Sequence, residues 1–367
     1  FVLKGLQIMC GIAGFVNDMP IDVKCPVLQR MTDMIAHRGP DSEGHYIDEH
    51  AALGHRRLSI IDLGGGQQPI YNEDGSKVIT FNGEIYNYQT LREELIAAGH
   101  TFTTKSDTEV LLHGYEQWGV DLLQRVRGMF TFVIWDKNKQ ELFGARDHFG
   151  IKPFYYAKMN GTFMYASEIK SLLRHPDFVK ELNAEALKPY MTFQYPAIGE
   201  TFFKGVYKLP EGHYFTYRDG KMDIHRYYDE DFREGKQKLG ELVNSIDQTV
   251  CDSVKAHQIA DVEVGSFLSS GVDSSYVAAV ARPQHTYSIG FGKGTYNESQ
   301  QAGELAELLK LNNTAESLTD EEAFAAFPRI QWHLDEPDSN PSCVPLYFLS
   351  ALAAKDVKVV RSEERRV

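Results

Sequence analysis

Cysteine is scarce in this chain, and the few that occur are far apart. Cys10, Cys25, Cys251 and Cys343 are the four in 367 residues. They form no C-x-x-C pair and have no clustered histidine partners, so neither a disulfide framework nor a zinc site is indicated. No apolar run approaches the roughly 18 residues that suggest a membrane-spanning helix. The opening FVLKGLQIMCGI is too short and mixed for a secretory signal. These absences predict a cytoplasmic protein with no membrane partner. Positive charge is also in deficit: a net charge of −13 and a pI near 5.5 argue against nucleic acid or an anionic membrane as the main partner. Internal repeats, low-complexity tracts and the G-x-x-x-x-G-K-[ST] phosphate loop are missing as well. What is present, 43% hydrophobic and 24% charged residues, suits a packed protein of two domains acting on small molecules.

Residues 9–228 carry short alternating strands broken by Gly, Asn and Asp, with two or three amphipathic helices between them, which predicts an α+β domain of stacked antiparallel sheets. MFTFVIWD and QELFGARD flank turn residues Lys137-Asn138-Lys139 as a hairpin. Residues 229–240 are charged and contain glycine, as a linker would. From 241 to 360 helices and strands alternate, which predicts an α/β domain with a parallel sheet. The chain starts with Phe1, while Met9 is followed at once by Cys-Gly-Ile-Ala-Gly-Phe, so residues 1–8 read as a translated leader. Val357-Lys-Val-Val360 gives way to Arg361-Ser-Glu-Glu-Arg-Arg-Val367, so residues 361–367 read as an aberrant tail.

Cys10 gains a specific chemical advantage if it becomes the first residue. An α-amine titrates near ~7.7–8.0, against ~10.4 for lysine, so it can serve as general base for its own thiol. Taken alone, an early cysteine is more often a small buried hydrophobe. Its context points elsewhere. Asn82-Gly83-Glu84 ends a strand, where a side-chain amide and a Gly backbone N–H can donate to an oxyanion, although Asn-Gly is also the commonest hairpin turn. Arg57 precedes an apolar strand and can clamp a carboxylate bidentately; a solvated surface arginine is the alternative. Ser106-Asp-Thr-Glu109 has capping-box spacing, with Ser106 as cap and Glu109 reciprocating. Asp107 is thereby free to face a substrate ammonium, or simply to suit the helix dipole.

Met9-Cys10-Gly-Ile-Ala-Gly14, His37-Arg-Gly-Pro-Asp41, Gly54-His-Arg-Arg-Leu-Ser-Ile-Ile-Asp62, Phe81-Asn-Gly-Glu-Ile-Tyr-Asn87 and Ser106-Asp107 together resemble the class II, N-terminal-nucleophile glutamine amidotransferases. The resemblance implies an αββα sandwich in which Cys10 attacks the glutamine amide and Asn82 and Gly83 hold the oxyanion. Arg57, Glu84 and Asp107 would grip the amino-acid end, and Leu58, Ile60 and Ile61 would line the pocket. In that family the ammonia passes through an internal tunnel. An unremoved leader would put the α-amine in the wrong place.

A second constellation follows the linker. Val262–Leu268 reads as a buried strand, Ser269-Ser-Gly-Val-Asp-Ser-Ser275 as a polar loop and Tyr276–Ala281 as a helix, an arrangement that can cradle a pyrophosphate or merely cap a helix. The loop resembles the S-G-G-x-D-S signature of the N-type ATP pyrophosphatases, with Ser270 in place of a glycine. If that position needs a positive φ, serine costs on the order of 1–2 kcal/mol. The resemblance implies an adenine nucleotide alpha hydrolase-like fold and an ATP site formed by Leu268, Ser269, Ser270, Gly271, Val272, Asp273, Ser274 and Ile289, with Asp273 near the pyrophosphate and its Mg2+. Thr319-Asp-Glu-Glu322 has capping-box spacing, and Asp335-Glu-Pro-Asp-Ser-Asn-Pro341 reads as a rigid acidic loop. Both halves together resemble the glutamine-hydrolysing asparagine synthetases. That family makes asparagine from aspartate, glutamine and ATP through β-aspartyl-AMP, and a homodimer stays open. Its members continue past a strand like Lys358-Val-Val360 with Leu-Ser-Gly-Glu-Gly-Ala-Asp-Glu, where this chain has Arg361-Ser-Glu-Glu. The alternative expectation is a fragment that only hydrolyses glutamine, or is silent. Amidotransferases that make glucosamine phosphate or phosphoribosylamine lack the Ser269–Ser274 loop, and β-lactam synthetase lacks the cysteine.

Overall fold

Period-two alternation sorts the side chains of the first half of the chain onto two faces. In β1 (Gly11–Val16), Ile12 joins the layer between two sheets while Ala13 and Phe15 face the other way, against a helix. The computed structural model describes residues 9–233, 235–291 and 298–361. Among the described residues, one structural unit is formed by residues 9–229 together with Leu334–Ser339, the other by Glu230–His333 and residues 340–361.

After β1 the first unit contains α1 (Ile21–Asp33), β2 (Ser42–Ile47), β3 (Ala51–Arg57), β4 (Ile70–Tyr71), β5 (Lys77–Ile85), α2 (Tyr88–Ala97), α3 (Asp107–Trp118), β6 (Gly128–Asp136) and β7 (Glu141–Arg146). There follow β8 (Tyr155–Met159), β9 (Thr162–Ala166), α4 (Ile169–Leu172), α5 (Leu187–Phe193), β10 (Val206–Lys208), β11 (His213–Arg218) and β12 (Lys221–Arg226). Two six-stranded sheets result, ordered β10-β8-β9-β1-β3-β2 and β12-β11-β7-β6-β5-β4, with antiparallel pairing in both. Val78, Val133, Trp135 and Phe215 pack between the sheets with Ile12. Val27, Leu28 and Met31 of α1 cover the outer face of the first sheet. Leu91 and Leu95 of α2 and Val110 to Leu112 of α3 cover Phe81, Phe130 and Phe132 of the second. The layers are therefore α, β, β, α, as the resemblance implies. β6 and β7 form the expected hairpin, closing at Asp136 opposite Glu141.

Three local expectations are corrected. Asn82-Gly83-Glu84 stands at the end of a strand, as expected, but Asn82-Gly83 makes no turn. β5 runs on to Ile85, with Asn82 opposite Thr131 and Gly83 opposite Phe130. Glycine is required there by close approach, since a Cβ would stand 2.2 Å from the Met129 carbonyl oxygen. Arg57 closes β3 rather than preceding a strand. At α3, Ser106 Oγ accepts the Thr108 N–H at 3.1 Å, but Glu109 does not complete a capping box. Its carboxylate takes the N–H groups of Thr103 and Thr104, each at 2.7 Å.

The second unit contains α6 (Leu239–Ala256), β13 (Val264–Phe267), α7 (Val272–Ala281), β14 (His285–Phe291), α8 (Glu298–Leu309), β15 (Asn312–Leu318), α9 (Asp320–Leu334), α10 (Cys343–Ala353) and β16 (Val359–Arg361). The last residue of α9 and the turn that follows it group with the first unit. The four strands pair in parallel in the order β15-β14-β13-β16. The Thr319 capping box forms, with Glu322 N–H to Thr319 Oγ1 at 3.2 Å and Thr319 N–H to Glu322 at 3.0 Å. α6 begins at Leu239, inside the expected linker, because Glu241 reaches back to the Lys238 N–H at 3.3 Å. Arg361, expected to open the tail, pairs as the last residue of β16 opposite Ser266. The proposed leader, residues 1–8, and residues 362–367 of the tail lie outside the described residues. Among the described residues no helix is long and apolar enough to cross a membrane.

Candidate functional sites

Cys10 stands immediately before β1, and the register Gly11 opposite Arg56 brings it to Leu58, just past the end of β3 and 48 residues away in sequence. There the Leu58 N–H donates to Cys10 Sγ at 3.3 Å. Burial pushes the Cys10 thiol up from its ordinary value, partly offset by the Leu58 backbone and then by the Arg57 charge. The His37–Asp41 motif braces this junction. Arg38 Nε donates to the Cys10 carbonyl at 3.0 Å and its Nη1 pairs with Glu168 at 3.0 Å. Asp41 accepts the Ser59 N–H at 2.9 Å, fixing the residue after Leu58.

The pocket beside Cys10 is lined by Arg57, Leu58, Ile60, Ile61, Gly83, Glu84 and Asp107, all expected, and also by Met9, Gly66, Gln68, Phe81, Ser106 and Thr108. Arg57 is buried, with Nη2 donating to the carbonyls of Ile61 at 3.1 Å and Asp62 at 2.6 Å. Gly66 permits this, since a Cβ there would lie 2.7 Å from Arg57 Nη2. Asp107 accepts the Ile85 N–H at 3.0 Å. Burial, and secondarily the neighbouring Glu84, push its pKa up to about 7. Asn82, one residue from the pocket-lining Gly83, is fully buried, and its Nδ2 and Oδ1 have no hydrogen-bond partner. Gln68 was missed by sequence reasoning. It clasps Phe81, accepting its N–H at 2.6 Å and donating to its carbonyl at 3.2 Å, and it donates to Thr108 Oγ1 at 3.2 Å. The glycine-rich run before it, Gly64-Gly-Gly66, was the available signal.

In the second unit, the residues expected to bind ATP gather at the C-terminal ends of β13 and β14. β14 lies on one side of β13 and β16 on the other, so the strand order reverses at the end of β13, where open parallel sheets bind ligands. The helix starts at Val272, four residues earlier than expected, so Asp273 and Ser274 stand on its first turn. Ser269 and Ser274 explain this. Their hydroxyls lie 2.7 Å apart, and Ser269 Oγ accepts the Gly271 N–H at 3.1 Å, closing the turn ahead of the helix. Ser270 is not among the positive-φ residues, so serine causes no backbone strain at this position. Leu268 is buried, and its N–H donates to the Tyr287 carbonyl at 2.9 Å. Ile289 is part-exposed on β14.

Geometry and sequence comparison agree on the class. The family model of the glutamine amidotransferase domain matches residues 9–228, and that of asparagine synthase matches residues 245–364. Asparagine synthetase [glutamine-hydrolyzing] 1 of Bacillus subtilis strain 168 is 43% identical over 364 residues, covering 97% of this chain and 57% of that protein. Asparagine synthetase [glutamine-hydrolyzing] 2 of the same organism is 39% identical over 326 residues, 83% of this chain and 43% of that protein. A Methanocaldococcus jannaschii protein provisionally named as an asparagine synthetase of the same kind is 33% identical, covering 96% of this chain and 73% of its own length. The chain belongs to the glutamine-hydrolysing asparagine synthetase family. It spans a little over half the length of the B. subtilis synthetase 1 that it matches.

Proposed function

We propose that the first unit hydrolyses glutamine to glutamate and ammonia with Cys10 as nucleophile, and that the second binds ATP for asparagine synthesis. The observation that carries the reading is the meeting of Cys10 Sγ with the Leu58 N–H in a pocket walled by Arg57, Gly83, Glu84 and Asp107. Arg57 holds the substrate α-carboxylate, and Glu84 and Asp107 hold its ammonium, leaving the carboxamide carbon to Sγ. As the tetrahedral oxyanion forms, Asn82 Nδ2 and the Gly83 N–H receive it. A buried amide without a partner is costly in the resting protein, and a developing oxyanion is the acceptor that would satisfy it. The thiol proton goes to the Cys10 nitrogen and then to the departing ammonia. That nitrogen is a base only as a free amine. While Met9 precedes it, it is an amide and cannot take the proton.

In the second unit the first-turn N–H groups of α7 have no intrahelical acceptors and, with the Ser269 and Ser274 hydroxyls, suit a pyrophosphate. Leu268 and Ile289 border adenine. Asp273, an exposed hard-oxygen ligand on that turn, would hold Mg2+ with the phosphates, and the ion would neutralise charge on the leaving pyrophosphate. Aspartate is activated as β-aspartyl-AMP, and ammonia displaces AMP, chemistry that belongs in the cytoplasm. The test compares glutamate release by the 367-residue chain, by a chain beginning at Cys10, and by that chain with Cys10→Ala. Activity is expected in the second alone, and equal activity in all three would overturn the reading. Aspartate-dependent pyrophosphate release, measured in parallel, separates a synthetase from a glutaminase only.

A further inference from the structure

The far end of α3, away from Asp107, carries a second cluster of chemistry-bearing side chains. Glu73 in the turn between β4 and β5, His100 after α2, and His113 and Glu116 of α3 bring one ligand atom each to within 4.8 Å of one another. His113 Nδ1 lies 3.1 Å from Glu116 Oε2 and 3.4 Å from Glu73 Oε2, and His100 Nδ1 lies 3.4 Å from Glu73 Oε1. A tetrahedral ion with bonds of about 2.1 Å sets its ligand atoms about 3.4 Å apart, so His113 Nδ1 stands near coordination spacing from Glu116 Oε2 and Glu73 Oε2, while His100 Nδ1 faces the other Glu73 oxygen. The outer ring also fits. His100 Nε2 meets Gln117 Oε1 at 3.2 Å, the buried His113 points Nε2 at Glu109 Oε1 3.5 Å away, and Asn72 Nδ2 donates to Glu116 Oε1 at 2.7 Å. His100 thus has an acceptor opposite the nitrogen that faces the cluster, the arrangement that fixes the tautomer of a metal-bound histidine, while His113 Nε2 lies near Glu109 without a hydrogen bond.

We propose that Glu73, His100, His113 and Glu116 form a binding site for one divalent transition-metal ion, with zinc as the best match. Two imidazole nitrogens and two carboxylates favour zinc over magnesium or calcium, which take oxygen. Such an ion ties a hairpin turn and a loop to the helix whose first residue, Asp107, lines the glutamine pocket. Its competitor is a proton on His113. Burial opposes that charge, but Glu109, Glu116 and Glu73 together push the His113 pKa up to about 9, while Lys77, 3.5 Å from Glu116, is the other nearby cation.

The test uses the untagged full chain stripped with a chelator and titrated with Zn2+, with Co2+ absorbance reporting the ligands. One ion per chain is expected, with no thiolate-to-cobalt band. Glu73→Gln and His100→Ala, changes at exposed or partly exposed side chains, should weaken binding by at least the roughly 10–100-fold that loss of an outer partner costs. Cys10→Ala should leave it unchanged. Absence of stoichiometric binding, unchanged affinity in His100→Ala, or loss in Cys10→Ala would each overturn the proposal.

Discussion

If the first unit binds glutamine as proposed, protonation of Asp107 makes that binding depend on pH in a calculable way. Burial and the neighbouring Glu84 keep this carboxyl protonated up to about pH 7 in the free pocket, yet its proposed partner is an ammonium, which only the carboxylate can pair. With a pKa of about 7, roughly one carboxyl in eleven is ionised at pH 6 and ten in eleven at pH 8. Apparent affinity scales with the competent fraction, so glutamine should bind about tenfold more tightly at pH 8 than at pH 6. Calorimetry on a Cys10→Ala chain measures this without turnover and without regard to what precedes Cys10. Asp107→Asn should flatten the profile and weaken binding at pH 8 on the order of tenfold or more, the usual worth of a hydrogen bond to a charged group. A flat profile in the parent, or an unchanged slope in Asp107→Asn, would refute the pairing.

Two further expectations concern the backbone. Gly83→Ala places a Cβ against the Met129 carbonyl at 2.2 Å and Phe130 Cα at 2.7 Å, so β5 or β6 must shift. A loss of about 1–3 kcal/mol in urea unfolding is expected, and a loss below about 0.5 kcal/mol would contradict the contact. Ser270→Gly relieves no strain, because Ser270 is outside the left-handed region. It should lower stability by up to about 1 kcal/mol through the freer unfolded chain, whereas a raised unfolding midpoint would show that the loop does need a positive φ.

Much of this protein is written locally. Alternation in MFTFVIWD fixes which residues of β6 face the helices and which face the other sheet. Ser106 and Thr319 mark helix starts by their own hydroxyls. The serine-rich loop lies between a parallel strand and a helix, as the local pattern predicts. Cys10, Arg57, Gly83, Glu84 and Asp107 could be named because each sits in a short motif, and the structure brings them to one pocket. Local pattern misled where a dipeptide has two uses: Asn82-Gly83 has the composition of a turn, but long-range pairing with β6 holds it in a strand.

Only tertiary structure could decide the rest, since it depends on residues far apart in sequence. Arg38 supports Cys10 through Glu168, 130 residues on, and Gln68 fastens a loop to both Phe81 and Thr108. The Glu73, His100, His113 and Glu116 cluster draws on three segments that no spacing rule connects. The protonation of Asp107 is set by burial, which exists only once sheets and helices have closed over it. Sequence determined which chemistry was available, through residue types and short-range geometry. The fold decided which of those groups meet and in what charge state, because register, burial and dielectric are properties of the packed chain.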